Sequence, residues 1–180
     1  MEHEFLGGRV IVKVGDITLE DTDTIVNAAN STLLGGGGVD GAIHATGGEA
    51  IYNECNLIRA TQYPDGLPTG KAVITTGGNF KACYVIHTVG PIYGTNNGKD
   101  AELLADSYRN SLDLATENNL KTIAFPSIST GAFYYPKHEA AEVVSNVLGQ
   151  WLLGNSMIDQ VRLVFFSRPD AEMFLKHSQF

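Results

Sequence analysis

Short apolar runs alternate with longer amphipathic stretches along the chain. Val10 to Val14 predicts a first strand, closed by the turn Gly15-Asp16, and Thr24-Ile25-Val26 is a second β-branched run ending at Asn27. A glycine loop, Gly35 to Gly38, then leads into two predicted helices, Val39 to Ala45 and Glu49 to Ala60, separated by Gly47-Gly48. In the second of these Ile51, Cys55 and Ile58 fall four and three apart, which places them on one face. Tyr63-Pro64-Asp65-Gly66 is turn chemistry. Ala72-Val73-Ile74 and Tyr84-Val85-Ile86 are predicted strands flanking the turn Gly77-Gly78-Asn79. Ala101 to Glu117 carries Leu104, Tyr108, Leu112 and Ala115 on one helical stripe. Thr122 to Phe125 is a short buried strand, followed by a loop from Pro126 to Tyr135. Pro136 stands where a helix of Ala140 to Leu153 begins, a position that tolerates proline. Val161 to Phe166 is the last predicted strand, and Ala171 to Lys176 a final short helix.

Apolar strands separated by helices predict an α/β domain with a mostly parallel sheet covered on both faces. Such sheets bind ligands beyond the C-terminal ends of their strands. The loops after Val26, Phe125 and Phe166 are therefore the places to seek function.

Composition narrows the picture. A chain of 180 residues is expected to form a single domain, residues 1–180, around one core. No apolar run reaches 18 residues, so no membrane-spanning helix is expected. Met1-Glu2-His3-Glu4 lacks the basic and apolar regions of a secretory signal, and the expected location is cytoplasmic. A net charge of −8 with only 12 Lys and Arg weighs against binding long nucleic acid, which needs many phosphate-neutralising cations. A small anion is not disfavoured, because backbone N–H groups at a helix start hold phosphate without lysines. Cys55 and Cys83 are read as small core residues rather than thiolates, metal ligands or disulfide partners.

Four stretches carry candidate chemistry. Gly35-Gly36-Gly37-Gly38-Val39-Asp40-Gly41 permits left-handed dihedrals and a close approach of backbone to ligand. Ahead of a helix, it aims free N–H groups and a positive dipole end outward, which suits a diphosphate, although a plain flexible loop has the same composition. No Gly-Lys-Ser/Thr follows, so it is not a nucleotide-hydrolysing P-loop. Gly36, Gly38 and Gly41 have dinucleotide-fingerprint spacing, but no acidic residue ends a second strand at the required distance. Asn27-Ala28-Ala29-Asn30 offers amides that either stabilise a strained turn or donate to ribose hydroxyls. Asp16, in Gly15-Asp16-Ile17-Thr18, either caps a short helix or accepts from an exocyclic amine such as that of adenine. Ser127-Ile128-Ser129-Thr130-Gly131-Ala132-Phe133 is a second loop of hydroxyls, small residues and backbone N–H groups suited to phosphate. His44, one turn after Asp40, and His87, ending an apolar strand, are read as structural, and His138 as solvent-facing.

Together with His87-Thr88-Val89-Gly90-Pro91, these stretches closely resemble the macrodomain family in order and spacing, from about Val10 to about Phe174. The subgroup resembled is MacroD-type, marked by a glycine loop running into Val-Asp-Gly with an asparagine ten residues before the aspartate, here Asn30 and Asp40. The resemblance implies a three-layer α-β-α sandwich with a mixed, mostly parallel sheet. It implies that Asp16 holds the adenine amine, Ile17 donates its N–H nearby and Phe166 stacks on adenine. Gly37, Gly38 and Val39, with Ser129, Thr130, Gly131, Ala132 and Phe133, would enclose the diphosphate, and Asn30 and Asp40 would face the distal ribose. The implied activity is hydrolysis of mono-ADP-ribose from Asp and Glu side chains and deacetylation of O-acetyl-ADP-ribose. The implied partners are ADP-ribose and ADP-ribosylated proteins, with no cofactor or metal. In this reading Asp40 orients or deprotonates water, although a carboxylate near solvent, with a pKa of about 4, is a weak base unless its surroundings raise it. A reader module without turnover, and a poly(ADP-ribose)- or RNA-binding module, are the alternatives, and the net charge weighs against RNA. Two residues depart from the family pattern. Tyr134 replaces a common glycine, with the expectation that it reshapes the second loop, narrows the distal-ribose side or changes which acyl partner fits. Ser167 replaces a common acid after the stacking aromatic, with the expectation of a looser adenosine contact.

Overall fold

A computed structural model describes residues 1–180. Its strands are β1 (Glu2–Phe5), β2 (Val10–Val14), β3 (Thr24–Ala28), β4 (Ala72–Thr76), β5 (Tyr84–Thr88), β6 (Thr122–Phe125) and β7 (Gln160–Phe165). Its helices are α1 (Gly38–Gly47), α2 (Glu49–Thr61), α3 (Asp100–Glu117), α4 (Lys137–Gly154) and α5 (Arg168–His177). The strands join in one sheet in the order β1-β2-β7-β6-β3-β5-β4. The five inner strands are parallel, and β1 and β4 close the two edges antiparallel.

Alternation along the strands builds the layers. Val26, Ile86, Ile123, Phe125, Leu163 and Phe165 point to the face covered by α3, α4 and α5. Their neighbours Ile25, Val85, Ala124 and Val164 point to the opposite face, where α1 and α2 supply Ile43, Ile51, Cys55 and Ile58. The fold is the expected three-layer α/β sandwich, and Ile51, Cys55 and Ile58 share the buried face of α2.

Four local readings change. β1 has no apolar alternation, because Glu2-His3-Glu4 is exposed and only its backbone pairs with β2 in the register Glu2↔Lys13 to Phe5↔Val10. Charged residues on an exposed edge also discourage pairing with further strands. α4 starts three residues earlier than expected, at Lys137, with Pro136 in extended backbone at its N-cap. α5 starts at Arg168, where Ser167 Oγ accepts from the Asp170 N–H at 3.3 Å. Ser167 thus caps a helix. Cys55 is buried as expected, but Cys83 is exposed. Cys83 sits in the bend before β5, held by its N–H on the Asp23 carbonyl at 3.1 Å, and its side chain faces water.

The connections open a crevice. β3 and β6 are neighbours, yet the chain leaving β3 packs as α1 and α2 on one face while the chain leaving β6 packs as α4 on the other. Diverging connections at adjacent parallel strands leave room above their C-terminal ends, the switch point at which such sheets bind ligands.

Candidate functional site

The first wall of the crevice is the segment from β3 to α1. The Leu33 N–H bonds the Asn30 carbonyl at 3.2 Å, and the Leu33 side chain, fully buried at a φ of 60°, anchors this turn in the core. The Asn30 side chain is fixed on two sides: Oδ1 accepts from the Thr32 N–H at 3.0 Å and hydroxyl at 2.5 Å, and Nδ2 donates to the Gly35 carbonyl at 3.0 Å. α1 then begins without a side-chain cap at Gly37. Its first intrahelical bond runs from Gly41 N–H to the Gly37 carbonyl at 3.1 Å, leaving the N–H groups of Gly38, Val39 and Asp40 without protein acceptors.

The second wall is the loop after β6. Ser127 and Thr130 share a hydroxyl hydrogen bond of 2.6 Å, and the Tyr135 N–H closes on the Ser129 carbonyl at 2.9 Å. The N–H groups of Thr130, Gly131, Ala132 and Phe133 donate to no protein acceptor, and Ser129 Oγ is buried without a partner. Gly90, beyond β5, supports this wall. Any Cβ there would run into Ser129 Oγ and Ile128 Cγ2.

Between the walls lies a cleft of about 750 Å³. Every residue to which the resemblance gave a ligand-binding or catalytic role lines it: Asp16, Ile17, Asn30, Gly37, Gly38, Val39, Asp40, Ser129, Thr130, Gly131, Ala132, Phe133 and Phe166. Asn27, also singled out for its amide, is fully buried behind it. Sheet order sets their sequence across it. Asp16 and Phe166 leave the adjacent strands β2 and β7, the second loop leaves β6, and Asn30 leaves β3. Phe166 is 87% exposed, so its ring is free to stack. Asp16 does cap the turn Ile17–Leu19, with Oδ1 accepting from the Thr18 N–H at 2.9 Å and hydroxyl at 2.7 Å, and its second oxygen stays available. Lys137 also lines the cleft, but its ammonium is paired with Asp170 at 2.6 Å. The donors without a protein partner along the cleft walls are backbone N–H groups, a chemistry suited to an anion.

Asp40 is the buried carboxylate of this lining. Only 4% exposed, it accepts from Asn27 Nδ2 through Oδ1 at 2.8 Å, while Oδ2 has no partner. Burial raises its pKa above the ordinary carboxylate value, opposed by the Asn27 hydrogen bond and the charge of His44. His44 Nε2 lies 3.4 Å from Oδ1 without hydrogen-bond geometry. A Cβ on Gly36 would sit 3.1 Å from both Asp40 Oδ2 and Asn30 Nδ2, so these two atoms converge over a bare glycine. An acceptor and a donor thus border the space left by the missing Cβ of Gly36. The donor atoms of His44, Cys55 and His87 lie within 4.8 Å of one another and have metal-ligand chemistry. Against that use, burial and the nearby Asp40 and Glu54 push the Cys55 thiol up to about 12, and His87 Nε2 is already bonded to Thr75 at 2.9 Å.

Residues 26–144 match the model of the Macro domain. The chain belongs to the Macro domain family. It is 54% identical over 162 residues to the Macro domain-containing protein TTE0995 of Caldanaerobacter subterraneus subsp. tengcongensis, covering 90% of this chain and 91% of that one. It is 46% identical over 163 residues to the O-acetyl-ADP-ribose deacetylase of Klebsiella pneumoniae, covering 91% and 92%. Among solved structures it is similar to a mutant of the Oceanobacillus iheyensis macrodomain with ADPR, at a TM-score of 0.92 and 42% identity, covering 98% and 95%.

Within this macrodomain Tyr134 behaves differently from expectation. Its side chain is 80% exposed and does not line the cleft, so it does not narrow the distal-ribose side. Its φ of 59° lies in the left-handed region, where glycine is unstrained. Tyr134→Gly should therefore gain up to about 1 kcal/mol of stability from strain relief, with ligand affinity unchanged. Thermal melts and calorimetry check this, and a lowered melting temperature would show that the tyrosine contributes packing after all. No helix is long and apolar enough to cross a membrane.

Proposed function

We propose that residues 1–180 act as one macrodomain that binds ADP-ribose and hydrolyses its esters. It deacetylates O-acetyl-ADP-ribose and removes mono-ADP-ribose from Asp and Glu side chains of modified proteins. The supporting observation is the junction at Gly36, where an unpartnered carboxylate oxygen of Asp40 and an amide nitrogen of Asn30 meet beside two walls of free N–H groups. Phe166 and Asp16 hold adenine at the β2–β7 end, with the Ile17 N–H beside it. Gly37 to Val39 and Ser129 to Phe133 clasp the diphosphate, which sets the distal ribose over Gly36. Asn30 donates to a ribose hydroxyl. Asp40 Oδ2 accepts a proton from water as that water attacks the ester linkage, whose C–O bond breaks to release the carboxylate and leave a hydroxyl on the ribose. Holding water and ester in line lowers the entropic barrier, and burial strengthens Asp40 as a base. The free cysteines fit a cytoplasmic protein.

Mass spectrometry tests this on O-acetyl-ADP-ribose and on a protein automodified at Glu and Asp. Loss of ADP-ribose from acidic side chains and release of acetate are expected. Binding without release would leave a reader, and calorimetry showing no ADP-ribose binding would end the reading altogether. The adenine assignment has its own test. Phe166→Ala should weaken ADP-ribose binding by about 1–3 kcal/mol, roughly 5- to 150-fold in Kd, with no loss of stability from so exposed a ring. An unchanged Kd would move adenine elsewhere.

A further inference from the structure

Behind Asp40 runs a chain of buried polar groups that the hydrolysis above does not use. His87, fully buried on β5, places Nε2 2.9 Å from Thr75 Oγ1 and Nδ1 3.1 Å from Asn27 Nδ2. The Thr75 hydroxyl has the Thr76 carbonyl at 3.0 Å as an acceptor and, with its hydrogen there, accepts from His87. That arrangement places the ring proton on Nε2 and turns the Nδ1 lone pair towards Asn27. The two hydrogens of Asn27 Nδ2 go to that lone pair and to Asp40 Oδ1. A turned Asn27 amide would set its oxygen against a ring lone pair and a carboxylate, both acceptors. Asn27 Oδ1 has no partner in its present place, so no other bond selects this orientation.

We propose that His87, held in its Nε2–H form by Thr75, is a positioning residue for Asp40: through the Asn27 amide it keeps Oδ1 engaged and leaves Oδ2 unpartnered beside Gly36. The catalytic value of this arrangement rests on the hydrolytic role of Asp40 proposed above. Burial, with a lesser contribution from His44, pushes the His87 pKa down to about 3. The ring thus stays a neutral acceptor wherever the protein works, whereas an imidazolium would face the amide hydrogens with a hydrogen of its own. The titratable groups around Asp40 are His44 from α1, Cys55 from α2 with Glu54 beside it, and His87 from β5. Among the contacts that set its pKa, the amide of Asn27 is the neutral one, and it lowers that pKa.

Two readouts independent of turnover test this. Long-range 15N–1H spectra of the wild type should show His87 protonated at Nε2, and the Nδ1–H form would overturn the proposal. Carboxyl 13C titrations should show the Asp40 midpoint moving up in His87→Leu, where the Asn27 amide loses the acceptor that orients it. His87→Asn, whose oxygen takes the place of Nδ1, should keep the wild-type midpoint. In turnover, His87→Leu should lose about 10- to 100-fold in kcat with little change in KM, and His87→Asn should recover most of it. Thr75→Val, with Thr75→Ser as its rescue, reads the same midpoint if His87→Leu does not fold. An Asp40 midpoint unmoved in a folded His87→Leu or Thr75→Val protein would overturn the proposal. A wild type with no hydrolysis would instead sink the proposed activity, while the tautomer and midpoint would still decide the positioning.

Discussion

Replacing Asp40 by alanine is expected to remove turnover while leaving ADP-ribose bound. The walls proposed to hold the diphosphate are backbone N–H groups on either side of the cleft, and the Asp40 side chain contributes no hydrogen bond to them. Loss of a positioned general base costs about 10²- to 10⁴-fold in rate. In the wild type the acid limb of kcat should lie above the ordinary carboxylate value of about 4, because burial raises the Asp40 pKa. Stability carries a second signature. A carboxyl whose folded pKa is raised keeps its proton in the native state while the unfolded chain has released it, so native stability falls as pH rises from about 4 through the folded pKa. Asp40→Ala removes that loss. The stability gap between wild type and variant should therefore shift in favour of the variant as pH rises from about 4 through the folded pKa of Asp40. Full de-esterification by Asp40→Ala would refute the assigned role of Asp40. A stability gap constant with pH would refute the raised pKa.

The fold was legible wherever alternation or helical spacing met a buried face. Ile25 and Val26, or Leu163 and Val164, divide cleanly between the two cores. β1 was not legible, since Glu2-His3-Glu4 is held through its backbone and has no apolar side to betray it. The cleft was legible for a physical reason. A site built from backbone N–H groups needs glycine and small residues in long loops, and Gly35 to Gly38 and Ser127 to Ala132 announce themselves. Asp16 shows a limit of such reading, because the side chain caps a turn and lines the cleft at once. The surroundings of Asp40 were hidden. His87 was read as structural and Thr75 drew no attention, because the bonds joining Thr75, His87, Asn27 and Asp40 link side chains from β4, β5, β3 and α1 that only the fold brings together. Tyr134 was read as an obstruction from its size alone. Only the backbone dihedral shows that it turns outward.

Gly41→Ala is expected to destabilise the protein, against helix propensity. An alanine replacing glycine inside a helix ordinarily gains about 0.5–1 kcal/mol. Gly149, within α4, has nothing within 4 Å of its would-be Cβ and should show that gain. At Gly41 the Cβ would collide with the carbonyl oxygen of Gly36, a backbone atom that no rotamer change can move aside. Relief requires the glycine loop to shift, and overpacking of this kind costs about 1–3 kcal/mol. The shift also reaches the chemistry, because Gly36 is the floor on which Asn30 Nδ2 and Asp40 Oδ2 converge. A displacement of about 1 Å between reacting groups can cost on the order of 10²-fold in rate, so turnover should fall even where the variant stays folded. Paired melts of Gly41→Ala and Gly149→Ala, followed by calorimetry and deacetylation assays, separate the two effects. If Gly41→Ala melts higher than the wild type, as Gly149→Ala should, the close packing of α1 against the loop does not set the geometry of the site.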